Sequence, residues 1–199
     1  MRIIRKVVQC FVLAVSIVVF VHSTRKILFP TAFTHTSTMS SSPSPLRLAI
    51  LEADTPQPQA NSQYGGYRGV FTSLLDKAYS SLDTPKQLTS ELKITGHDVV
   101  NDLNSYPALD DIDAVLISGS KHNAFDDEEW ILKLTEFTRQ ALATNRIKVI
   151  GVCFGHQIVG RALNAKLGRS DKGWEIAVTD VELTPKGKEI FGLEKMVRV

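Results

Sequence analysis

Acidic residues are absent from the first 51 positions, cysteine occurs only twice, and no histidine follows position 156. Each absence excludes something. Cys10 lies in an apolar leader and Cys153 in the body, so no intradomain disulfide framework can form, which fits a reducing compartment. Neither G-x-x-x-x-G-K-[ST] nor G-x-G-x-x-G occurs, so no phosphate-cradling loop is supported. No grouping of His, Cys and Asp has ligand spacing; no metal and no cofactor is expected. The net charge of +2 hides an asymmetry: Arg2, Arg5, Lys6, Arg25, Lys26 and Arg47 precede residue 52, leaving 17 basic against 21 acidic residues beyond it. A mildly acidic body without basic clusters argues against nucleic-acid binding.

The leader itself is strongly patterned. MRIIRK is basic, and Val7 to Val21 is an apolar run that reaches Phe29 if Arg25 and Lys26 snorkel. This predicts a transmembrane helix or anchor, and hence membrane association through residues 7–29. A signal peptide lacks its A-x-A site, and a mitochondrial leader would be more amphipathic. Alternatively translation starts at Met39, whose MSSSPSP would open an ordinary cytosolic protein. The expected organisation is a leader or anchor over 1–29, a flexible Ser/Thr/Pro linker over 30–45 and one domain over 46–199.

The body alternates strands and helices. LRLAIL (46–51) reads as a buried parallel strand, and LKIT (92–95, stopped by Gly96), DAVLIS (113–118) and IKVIGV (147–152) read as further strands. Helical spacing of apolar residues predicts helices over 67–79, 127–143 and about 155–166. WEIAVTDVEL (174–183) alternates like a half-exposed strand, Thr184 and Pro185 open a short helix, and MVRV (196–199) begins another strand. The pattern implies an α/β fold: an open, mainly parallel sheet with helices on both faces, incomplete at the C-terminus.

VIGVCFGHQIVG (149–160) holds the chemistry. A strand, Gly-x-Cys-x-Gly, then a helix is the nucleophile-elbow arrangement with sulfur in place of hydroxyl. Gly151 and Gly155 keep the strained turn small, and the helix N-terminus that follows favours an anionic sulfur. The N–H of Phe154 is placed as an oxyanion donor. The competing reading of a bare Gly-x-Cys-x-Gly is a small buried apolar residue at a tight turn.

GVCFGHQIVGRALNAKLG resembles the nucleophile segment of class I glutamine amidotransferases, which have a flavodoxin-like fold. LISGSKHNAFDDEEWI resembles the family's oxyanion segment, with Ser118, Gly119 and Ser120 where Ser-Gly-Gly is usual. LEADTPQP, QYGGYRGVF and KGWEIAV (172–178) resemble the stand-alone, GMP-synthase-like branch. The resemblance spans about residues 46–199. It implies that Cys153 attacks the glutamine side-chain amide, that the N–H groups of Ser120 and Phe154 hold the oxyanion, and that Gly119 and Gln157 shape the substrate pocket. Ammonia leaves, for release or for a separate ammonia-accepting synthase, and a thioester is hydrolysed. A γ-glutamyl peptidase acting on glutathione-like compounds would use the same machinery.

The family's base is a histidine, oriented by a carboxylate, from a segment well after the cysteine. His22, His35, His97, His122 and His156 all precede that region. His156 shares the first helical turn with Cys153, His122 sits on a loop at the same rim, and His97 follows Gly96 as a turn residue. The expectation is a chain truncated inside its last strand, with an unpaired sheet edge and little glutaminase activity of its own; a catalytically dead binding protein is the remaining alternative.

Overall fold

Apolar runs buried on two faces become neighbouring parallel strands, because only helices on both sides can cover them. The computed structural model describes residues 19–20, 44–82, 87–169 and 179–198. Its strands are β1 (Val19–Phe20), β2 (Leu46–Glu52), β3 (Leu92–Asp98), β4 (Ala114–Ile117), β5 (Lys148–Gly151), β6 (Thr179–Glu182) and β7 (Lys195–Arg198). Its helices are α1 (Pro58–Tyr64), α2 (Tyr67–Ser80), α3 (Leu88–Glu91), α4 (Glu129–Ala143), α5 (Phe154–Ala162) and α6 (Pro185–Phe191).

One sheet has the order β1-β5-β4-β2-β3, in which β5, β4, β2 and β3 run parallel. Strand β2 shows how its faces divide. Ala49 and Leu51 join a core with Trp130, Ile131, Leu134 and Phe137 of α4 and Phe154, Ile158 and Val159 of α5. Leu48 and Ile50 point the other way, into a core with Phe71, Leu75 and Tyr79 of α2. The result is the expected mainly parallel sheet with helices on both faces. The chain leaves β2 for β3 on one side and returns to β4 on the other, so the β2/β4 boundary is the topological switch point at whose carboxyl end open sheets bind ligands.

Several local expectations are corrected. The transmembrane helix over 7–29 is overturned: Val19 and Phe20, inside that run, are extended strand paired antiparallel with Gly151 and Ile150 of β5. Among the described residues no helix is long and apolar enough to cross a membrane. The rest of the leader and most of the linker lie outside the described residues, as does the KGWEIAV block. Gly96 does not stop β3; it pairs with Ile50, and His97 with Leu51. His97 is therefore a strand residue rather than a turn residue, its Nδ1 against the Ser105 carbonyl and its Nε2 3.0 Å from the Thr95 hydroxyl. Helix α5 ends at Ala162 instead of near 166, because Asn164 turns left-handed at φ 62°. The last strand is not an unpaired edge of the parallel sheet. It pairs antiparallel with β6 in a two-stranded sheet of their own, Glu182 opposite Lys195. Between them α6 is capped as expected, the Thr184 hydroxyl accepting the Gly187 N–H at 3.1 Å with Pro185 next in line.

Candidate active site

Three loops meet at the carboxyl end of the sheet: residues after β2, after β4 and after β5. Cys153 follows β5 and stands at the N-cap of α5 with φ 50° and ψ −109°, backbone values that L-residues rarely adopt and that cost of order 1–3 kcal/mol. The turn closes only because Gly151 and Gly155 have no side chains. A Cβ on Gly151 would lie 2.5 Å from the Gly155 carbonyl group, and one on Gly155 would lie 2.4 Å from the Ile117 oxygen. Helix α5 thus starts pressed against β4, and the Cys153 side chain is turned outward and exposed.

The thiol opens on a cleft of about 700 Å³. Gly119 and Ser120 form one wall; a Cβ on Gly119 would lie 3.6 Å from that of Cys153. Among the described residues neither the Ser120 N–H nor the Phe154 N–H has a protein acceptor. Tyr67, Val70, Phe71 and Leu74 of α2 supply a largely apolar wall. Glu52 places that helix, its carboxylate accepting the Arg68 N–H at 2.9 Å where no side-chain N-cap exists.

Asp54 and Lys121 also line the cleft. Burial pushes the Asp54 carboxyl upward, but hydrogen bonds from the Lys121 and Thr55 N–H groups and from Lys121 Nζ outweigh it and hold the group below the usual carboxylate range. Tyr67 is shifted the other way, by burial first and then by the charges of Asp54 and Cys153. Asp54 and Tyr67 are the residues that sequence reasoning missed. The signal available for Asp54 was its position, two residues beyond a buried strand, at the rim of the sheet.

Of the residues singled out from sequence, the fold brings Cys153, Gly119 and Ser120 together around the cleft. Phe154 is buried behind it, its ring stacked on Trp130 at 5.6 Å. Gln157 lies exposed on the first turn of α5 and is not among the residues lining the cleft. None of the described histidines lines it either. His156 is turned into the protein: its Nδ1 is buried without a partner, and burial holds the ring below its ordinary pKa despite the nearby Cys153 carbonyl. His122 packs edge-on against Trp130 at 5.1 Å, with Nδ1 3.6 Å from Glu128.

The family model for class-I glutamine amidotransferases matches residues 78–199. A glutamine amidotransferase-like protein of Schizosaccharomyces pombe is 38% identical over 149 residues, 73% of this chain and 58% of that protein. Gamma-glutamyl peptidases 4 and 3 of Arabidopsis thaliana are 35% and 32% identical, over 68% and 73% of this chain and 50% and 54% of their own lengths. The chain thus spans about half the length of the curated relatives it matches. An elbow cysteine at the switch point of a parallel sheet and a family match across 78–199 lead to one conclusion: the chain belongs to the class-I glutamine amidotransferase family.

Proposed function

We propose that this is a cysteine amidase cleaving γ-glutamyl C–N bonds, with glutamine as substrate. Cys153 Sγ adds to the side-chain amide carbon, and the carbonyl π pair moves to oxygen, where the N–H groups of Ser120 and Phe154 receive it. Collapse expels ammonia, the thiol proton ending on the leaving nitrogen, to be released or passed to a separate synthase; water then hydrolyses the thioester to glutamate and returns a proton to sulfur. Gly119 shapes the pocket beside the thiol, and Gly151 and Gly155 permit the turn. The observation that carries this reading is the strained backbone of Cys153, whose exposed thiol lines the same cleft as the adjoining Gly119–Ser120 turn.

A second reading keeps the machinery and changes the leaving group. The apolar wall of Tyr67, Val70, Phe71 and Leu74 has no task in expelling ammonia but would accommodate an organic amine. That favours a γ-glutamyl peptidase, the activity named for the two Arabidopsis relatives.

The test is labelling and turnover of the folded chain. A thiol-reactive glutamine analogue is expected to modify Cys153, located by peptide mapping. Turnover is expected to be slow because no described histidine lines the cleft. Ammonia from glutamine against amine from a γ-glutamyl amide separates the two substrates. A folded chain whose Cys153 stays unlabelled would leave only the catalytically dead binding protein. Rapid turnover lost in Cys153→Ala would instead promote His122, with Glu128 beside it, as base.

A further inference from the structure

A peptide plane can rotate with little movement of its neighbours, and its carbonyl then stands where its N–H stood. An oxyanion donor taken from a loop is only as good as whatever fixes that plane. In the proposed amidase one such donor comes from the Gly119–Ser120 peptide, so the role of the residues around it rests on that amidase function.

Two side chains tie this turn to the end of β2. Ser118 is completely buried. Its hydroxyl accepts the Ala53 N–H at 2.8 Å and donates to the Gly119 carbonyl at 2.9 Å. In a trans peptide the C=O and N–H point opposite ways. A Gly119 carbonyl fixed on the Ser118 hydroxyl therefore sends the Ser120 N–H to the other side, where it has no protein acceptor among the described residues. Asp54 fixes the turn one residue on: Oδ2 accepts the Lys121 N–H at 2.8 Å, while Oδ1 takes Lys121 Nζ at 3.1 Å and the Thr55 N–H at 2.8 Å. The Asp54 side chain is 10% exposed against 76% for Lys121, so the carboxylate is the fixed member of the pair.

We propose that Ser118 and Asp54 are positioning residues that preset the Gly119–Ser120 peptide, N–H outward, before any substrate binds. The turn after β2 thereby becomes the scaffold of the oxyanion site, although it contributes neither the nucleophile nor an oxyanion donor. Ser120 in place of a second glycine is tolerated because the plane is held by its neighbours and needs no backbone freedom of its own.

The experiment compares two alkylations of Cys153 in the full chain. The chloromethyl ketone analogue of glutamine forms an S–C bond, expels chloride and sheds the thiol proton to solvent, passing through an oxyanion on the ketone oxygen. Iodoacetamide alkylates the same sulfur with no oxyanion. Ser118→Ala is expected to lower the maximal ketone labelling rate about tenfold or more, while half-saturation by the ketone and the iodoacetamide rate stay within about twofold. Ser118→Ala orphans the buried Ala53 N–H and could unfold the chain. Asp54→Asn, which turns an N–H donor onto the donors around it, then carries the test with the same expected split. A maximal rate within about twofold of wild type in the folded variants would overturn the brace alone. Wild-type chain that ignores the ketone but reacts with iodoacetamide would overturn the amidase reading, and the brace with it.

Discussion

Replacing Gly155 by alanine puts a methyl group where backbone already stands. The added Cβ falls 2.4 Å from the Ile117 oxygen and 2.9 Å from its carbonyl carbon and Cβ, against contact distances of about 3.5 Å. Relief requires α5 to retreat from β4 by about 1 Å, and a gap of that size forfeits a quarter to a half of each dispersion contact it opens. The residues along that seam are Phe154, Ile158 and Val159 against Val115 and Ile117, all at most 1% exposed. Overpacking against mobile side chains costs about 1–3 kcal/mol; against backbone on both sides the upper end applies, so about 3 kcal/mol is expected. Urea unfolding of Gly155→Ala should show it as a lower midpoint at unchanged slope. Cys153 moves with its helix, and a displacement near 1 Å is worth about a hundredfold in rate, so labelling by a glutamine analogue should fall with stability. Gly160→Ala is the control on the same helix. Its Cβ meets nothing nearer than 3.8 Å, and it should gain about 0.5–1 kcal/mol from helix propensity. A Gly155→Ala chain with a wild-type midpoint and undiminished labelling would refute the argument that the elbow glycines are steric necessities.

The same helix yields two further expected outcomes. His156 is held below its ordinary value of 6.5 by burial, so below that pH the unfolded chain binds the proton the folded one refuses. Its contribution is complete above 6.5 and is lost as pH falls through the folded value; urea midpoints of His156→Leu should fall less than wild type between about pH 7 and about pH 5. Cys153→Gly should abolish labelling yet raise stability by about 1 kcal/mol, since relief of the backbone strain exceeds the entropy that glycine adds to the unfolded chain. A destabilised Cys153→Gly, measured by thermal melting, would argue that the turn is not strained.

The parallel sheet was legible because strands buried on both faces leave continuous apolar runs, as in LRLAIL and DAVLIS. The elbow was legible because its glycines flank the cysteine within five residues. Helix α1 was not, since PQANSQY buries none of its residues and so carries no periodic signal. Gly96 misled for a specific reason: it reads as a strand stop, but here its missing side chain admits Arg68, whose Cδ would lie 2.6 Å from a Cβ. The Ser118 and Asp54 contacts reach 65 and 67 residues along the chain, beyond any local pattern. The leader failed differently. Apolar length alone suggested a helix, whereas Val19 and Phe20 found strand partners in β5.

The cleft draws its walls from segments after β2, β4 and β5, and β4 is the strand that lies between the other two. No partial sheet lacking β4 can present the thiol, the facing turn and its brace at once. Ligand-directed modification of Cys153 is therefore a clock for folding: in a refolding time course it should start only when the central strand is seated. Iodoacetamide, by contrast, should find the sulfur from the first instant. The interval between the two reactivities would time the closure of contacts that reach 65 and 67 residues along the chain, the slow step that non-local topology imposes.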